Sequence, residues 1–96
     1  MENQPAKSAI VTASRRFLKT DGHTLLSVRA GVPVELALEQ AGTLLDCIHG
    51  LVMNRETLGD TVQTNCLNYL TDMARALVNA SFDGLCEYER TLMHAK

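Results

Sequence analysis

Residues 30–54, AGVPVELALEQAGTLLDCIHGLVMN, decide the fold, because they begin with residues that end a strand and continue as a long amphipathic segment. Gly31 and Pro33 interrupt the preceding extended segment. Proline is favoured in the first turn of a helix, where its missing N–H costs nothing. The pattern predicts a helix from about Pro33 to Asn54. Its apolar residues recur in alternating steps of four and three, the spacing of helices that pack lengthwise: Val34, Leu38, Ala41, Leu45, Ile48 and Val52.

A second, longer helix is predicted to start near Asp60 or Thr61 and to continue to about His94. Only Gly84 interrupts it, and no proline occurs in it. Because the connection to the first helix is short, the two helices are expected to be antiparallel neighbours. One apolar stripe repeats the alternating spacing: Cys66, Leu70, Met73, Leu77, Ala80 and Gly84. A second stripe runs beside it: Leu67, Ala74, Val78, Ser81 and Leu85.

Two glycines lie inside the first predicted helix, at positions 42 and 50. A glycine in a helix interior destabilises it by about 1 kcal/mol relative to alanine. We expect Gly42 and Gly50 to mark places where a neighbouring backbone approaches closely.

Two helices cannot bury all of this apolar surface between them. The second helix carries one stripe more than a single neighbour can cover, and its last turns, with Leu92 and Met93, extend beyond the first helix. A second copy of the chain covers the remainder most simply, as a dimeric four-helix bundle with two-fold symmetry. The alternative is a monomer whose N-terminal segment folds back as a third helix. The residues predicted to form the core or the self-association surface are Leu38, Ala41, Leu45, Ile48, Val52, Cys66, Leu70, Met73, Leu77 and Ala80.

Leu45 and Leu77 lie in the apolar stripes through which the two helices are predicted to pack. Aspartate at either position is therefore expected to bury an unpaired charge. Both substitutions should therefore disrupt folding and assembly together.

A short β element is predicted before the break. Residues 20–22, Thr-Asp-Gly, are a turn signal, and residues 24–29 alternate partly between apolar and polar. They predict one strand, on which Leu26 and Val28 share a face. A lone strand leaves its backbone groups unpaired. It is therefore expected to pair with Phe17 and Leu18 in a hairpin, or with the same strand of a second chain.

Residues 1–16 are mostly polar and show no sustained period, which predicts a flexible N-terminal arm. Residues 17–96 then form a single helical-hairpin domain, as the length of 96 residues also requires. The expected fold class is mainly α, with a short N-terminal β element.

The charge pattern disfavours nucleic acid as a partner. The net charge is −2, and a protein that neutralises several phosphates needs a basic face. The basic cluster in this chain is limited to Arg15, Arg16 and Lys19. No segment has the about 18 consecutive apolar residues of a membrane span, and no signal-peptide pattern is present. We therefore expect a cytoplasmic protein whose three cysteines are free thiols.

The residues that could carry chemistry are scattered along the sequence. Cys47 and His49 are two apart on a helix and so point about 200° away from each other, which prevents them from sharing a metal ion there. No nucleophile has a base beside it, and no phosphate-binding loop is present. We expect no catalytic residue, no cofactor and no metal, and hence a non-enzymatic interaction or regulatory module. Two alternatives remain: a small-molecule or metal binder with a site between subunits near Cys47, His49 or Tyr69, and a weak nucleic-acid-associated regulator.

The sequence also resembles a family of uncharacterised short bacterial proteins, a domain of unknown function. The resemblance is carried by Leu25 to Pro33, with its Gly-Val-Pro break, and by the spacing of alanine and leucine from Ala37 to Cys47. It covers residues 17–80 and implies a strand followed by two amphipathic helices. It implies no activity, ligand or site.

Overall fold

The computed structural model describes residues 10–53 and 60–94. Its elements, in chain order, are β1 (Arg15–Thr20), β2 (His23–Val28), α1 (Val34–Met53) and α2 (Asp60–His94). The two helices pack against each other as a hairpin, and the strands form an antiparallel sheet. The prediction of a mainly helical hairpin with an N-terminal β element is confirmed. The predicted connection, residues 54–59, lies outside the described residues.

The two strands are joined by the predicted turn. Asp21 and Gly22 have φ angles of 52° and 80°, the left-handed pair that a two-residue type I′ hairpin requires. Of the two pairings that the sequence left open, the structure shows the hairpin within one chain. Its register is Arg15 with Val28, Arg16 with Ser27, Phe17 with Leu26, Lys19 with Thr24 and Thr20 with His23.

Leu18 has no partner in this register, and its φ angle is 62°. A positive φ angle is uncommon in a residue other than glycine and is an outlier for a bulky one. β1 is therefore distorted at its centre.

Residues 10–14 belong to the folded unit, which corrects the expectation that the first sixteen residues form a flexible arm. The Thr12 N–H donates to the Val32 carbonyl (2.8 Å), and the Ala13 N–H donates to the Ala80 carbonyl (3.0 Å) on α2. The Val34 N–H, at the first position of α1, donates to the Ile10 carbonyl (3.1 Å). This segment, which we call the N-terminal clamp (residues 10–14), thus ties the start of α1 to the middle of α2. Residues 1–9 of the predicted arm lie outside the described residues.

Thr12 is the centre of the clamp and is 3% exposed. Its hydroxyl donates to the Arg29 carbonyl (2.7 Å) and accepts from the Val32 N–H (3.1 Å). The Gly31 N–H donates to the Thr12 carbonyl (3.0 Å), and Gly31 has a φ angle of 87°. The predicted break before α1 is therefore also the place where the clamp attaches.

The core consists mainly of alanine. Apart from Val28, the buried apolar residues are Ala37, Ala41, Ala74, Ala76 and Ala80. Val28, Ala76 and Ala80 form a cluster against which Phe17 and Leu77 pack. Small side chains let two helices approach closely but bury little apolar area each.

The glycines of α1 and α2 correct the sequence analysis. Among residues 10–53 and 60–94, a Cβ atom added at Gly42 or Gly50 would meet nothing within 4 Å, so the expected close approach is not seen at these positions. At Gly84, a Cβ atom would overlap the Val11 carbonyl oxygen and lie 2.8 Å from the Val11 carbonyl carbon. The close approach expected at α1 therefore occurs on α2, where the N-terminal clamp crosses it.

We predict that Gly84→Ala destabilises the protein. Because the added methyl group meets backbone rather than a flexible side chain, the clamp has to move off α2. We expect a loss of about 1–3 kcal/mol in the free energy of unfolding, measured by urea denaturation. Gly42→Ala, in open space, is the matched control and should raise stability by up to about 1 kcal/mol. A Gly84→Ala variant as stable as the parent would show that the clamp does not cross α2 in this way.

A second prediction concerns the Thr12 hydroxyl. Thr12→Val keeps the branched shape but leaves the Arg29 carbonyl and the Val32 N–H without their hydroxyl partner. The free energy of unfolding should fall by about 1–3 kcal/mol. Thr12→Ser, which keeps the hydroxyl, should lose clearly less, and equal losses in the two variants would contradict the assignment.

Candidate interaction surface

One side of the helical hairpin exposes large apolar side chains from both helices. On α1, Leu38, Leu45 and Val52 are seven residues apart and so share one side of the helix. We call this surface the open face. Its members are Val34, Leu38, Leu45 and Val52 of α1, and Val78, Phe82 and Leu85 of α2.

The open face contains a groove of about 480 Å³ between the two helices. Leu38 and Val34 form one wall, Val78, Phe82 and Leu85 form the other, and Ile10 of the clamp also lines it. Its polar lining residues are Glu35 and Ser81, and the Ser81 hydroxyl already donates to the Leu77 carbonyl (2.8 Å). Such a lining favours contact with apolar groups.

The opposite side of the hairpin is partly covered by the sheet. Phe17 of β1 and Val28 of β2 pack towards Ala76, Ala80 and Leu77 of α2. The Arg15 Nη1 atom lies 3.0 Å from the Asp83 Oδ2 atom in an ion pair that is partly exposed on both sides. The sheet is therefore attached to α2 on one side, which leaves the open face to solvent.

The residues predicted as core or self-association surface divide into two groups. Ala41 and Ala80 are buried, and Ile48, Cys66, Leu70, Met73 and Leu77 are half-buried. Leu38, Leu45 and Val52 are exposed, and Leu45 retains 55% of its accessible surface. Within one chain, the predicted apolar stripe of α1 therefore belongs only in part to the core. Leu38, Leu45 and Val52 of this stripe lie on the open face.

The end of α2 carries further exposed apolar side chains. Leu92 and Met93 are exposed, Met93 by 78%. They lie in the last turns, as the sequence analysis expected. Among the described residues, no helix is both long and apolar enough to cross a membrane.

The residues considered for metal or ligand binding lie at the surface of the chain. Cys47, His49 and Tyr69 are all exposed, and all three cysteines are free thiols. Within residues 10–53 and 60–94, no group of three His, Cys, Asp or Glu side chains could hold a metal ion.

Sequence reasoning missed the N-terminal clamp. Its signals are weak: a run of three residues, Ile10 to Thr12, that are all β-branched, and a glycine in a helix interior, Gly84. Only the second signal points to a close approach, and the sequence does not say which segment approaches.

The structure separates the effects expected of two substitutions. Leu77 packs against the core cluster, so Leu77→Asp should cost about 3 kcal/mol or more and abolish the native fold. Leu45 is largely exposed, so Leu45→Asp should keep the native helical content, contrary to the expectation from the sequence alone. Circular dichroism of both variants at low protein concentration is the measurement. Loss of helix in Leu45→Asp would show that Leu45 belongs to the core.

Comparison with known proteins supports the resemblance noted from the sequence. No curated protein and no solved structure shows significant similarity to this chain. A family model described as a protein of unknown function, DUF3077, matches residues 9–83. The match includes the clamp, both strands, α1 and α2 as far as Asp83, so this chain belongs to the DUF3077 family of proteins of unknown function.

Proposed function

We propose that the protein is a non-enzymatic interaction module that works as a self-associated assembly, with a two-fold dimer as the simplest form. The open face is the surface buried between the copies. The observation that carries the proposal is the exposure of this face, while the buried apolar residues of the described chain are alanines apart from Val28.

The burial of large side chains supports self-association. Among the described residues, no large side chain is fully buried, whereas Phe82 is 62% exposed and Leu45 is 55% exposed. A contiguous apolar surface of this kind is unusual in a protein that works alone. A second copy would remove much of it from water.

The hydrophobic contribution of the open face can be compared with the cost of association. Burying a large apolar side chain completely contributes about 1.5–3 kcal/mol, so the exposed half of each contributes about 1 kcal/mol. In each copy, six side chains of the open face are exposed, all of its members except Val34. Their combined contribution is comparable with the about 4–15 kcal/mol that association costs in lost translational and rotational freedom.

The pattern of α1 favours another helix as the occupant. Leu38, Leu45 and Val52 recur at the heptad interval at which helices interdigitate. Glu39 and Asp46 lie about 100° or more around α1 from this line, and Glu35 is the acidic residue of α1 that lines the groove. A two-fold arrangement makes the same face serve both partners.

The chemistry of the groove supports a binding role over a catalytic one. Its lining is aliphatic and aromatic except for Glu35 and Ser81, and the Ser81 hydroxyl is engaged by the Leu77 carbonyl. Nucleophilic catalysis needs a base beside the nucleophile. No such pair lines this groove.

Native mass spectrometry and light scattering test the proposal. We expect the wild type at twice the chain mass of 10.5 kDa, and Leu45→Asp as a folded monomer. Cys47→Asp is the matched control, because it places the same charge two residues away on the other side of α1, and it should remain dimeric. A wild-type monomer at high micromolar concentration, or a dimer that survives Leu45→Asp, would refute the assignment of the interface.

A further inference from the structure

β1 and α2 enclose a polar groove of about 260 Å³ whose lining residues are distinct from those of the open face. The described part of the chain contains six arginine and lysine residues. Four of them line this groove: Arg15, Arg16 and Lys19 of β1, and Arg75 of α2. In a chain of net charge −2, this is a marked concentration of positive charge.

Within the described residues, most of this charge is not neutralised by ion pairs. Arg15 is paired with Asp83. Asp72 also lines the groove, but within residues 10–53 and 60–94 it has no ion pair with Arg16, Lys19 or Arg75. Arg16, Lys19 and Arg75 contribute three positive charges and Asp72 one negative charge, which leaves an excess of two positive charges in the groove. The Asn79 side chain adds an amide to the lining.

The backbone of β1 is distorted at the same place. Residues 15–19 of β1 line this groove, and the pairing register with β2 leaves out Leu18. Leu18, at the centre of the run, has a φ angle of 62°. Residues in sparsely populated backbone conformations cluster at ligand sites, because surrounding structure has to hold them there. This is a second observation at the groove, independent of its charge.

We infer that this groove binds a compact dianion that carries a phosphate group. The arginine guanidinium presents a planar fork of donors that matches phosphate oxygens. A phosphate monoester carries about −1.5 to −2 charges near neutral pH, which matches the local excess. Nucleic acid fits less well, because a polyanion needs a track of cations along its backbone. The two other described cations, Arg29 and Arg90, do not line the groove.

The test is a titration of the full-length protein with inorganic phosphate and pyrophosphate, followed by NMR of backbone amides at constant ionic strength in chloride. We expect saturable shifts confined to residues 15–19 and 72–79. Arg75→Gln should weaken binding about tenfold, as expected for the loss of a charge-assisted hydrogen bond. Asp72→Asn should tighten binding, since it removes the opposing charge. Arg90→Gln, on the same helix outside the groove, is the matched control and should leave affinity unchanged.

Three outcomes would overturn the inference. Shifts that do not saturate would show general ion screening, and an Arg75→Gln variant with unchanged affinity would place the anion elsewhere. Tighter binding of a DNA oligonucleotide than of pyrophosphate, with a steep dependence on salt, would make nucleic acid the ligand. Because none of these readouts measures the mass of the assembly, the inference can fail while the proposed self-association holds, and the reverse.

Discussion

The close contact between α1 and α2 is the constraint on which the rest of the structure depends. The buried apolar side chains of the two helices are all alanines: Ala37 and Ala41 of α1, and Ala74, Ala76 and Ala80 of α2. The larger apolar side chains of both helices remain half-buried or exposed. On one side the sheet covers part of them, with Phe17 and Val28 packed over the alanines of α2. On the other side nothing in the described chain covers them, which gives the open face.

The N-terminal clamp fixes how the sheet meets the helices. Its backbone binds the start of α1 through Ile10 and the middle of α2 through Ala13. β1 follows the clamp directly, and the Arg15–Asp83 pair continues the same attachment along α2. The position of the polar groove between β1 and α2 follows from this arrangement, since β1 lies beside Arg75 when the clamp holds it against the helix.

The sequence predicted the helices and the hairpin well because their signals are local. Pro33 starts α1 within one residue, the alternating apolar spacing gives the extent of both helices, and Asp21-Gly22 forms the turn. The sequence could not assign the sides of α1, because the positions from Val34 to Val52 suit either a partner helix of the same chain or one of a second chain. Residue volume held the missing information. Alanine marks the positions that are buried within the chain, and leucine and valine at heptad spacing mark the open face. The clamp was missed because its backbone hydrogen bonds depend little on residue type.

The clamp also determines when the fold can be completed during synthesis of the chain. Arg15 and Asp83 are 68 residues apart in the chain, and Ala13 and Ala80 are separated almost as widely. The β hairpin can form on its own within microseconds, but it has no surface to dock on until the middle of α2 has been made. Since contacts between distant residues slow folding, a nascent chain would complete this contact only after Ala80 and Asp83 have emerged from the ribosome. During that interval the apolar side chains of α1 are uncovered on both sides, and the nascent chain is most open to association with other chains.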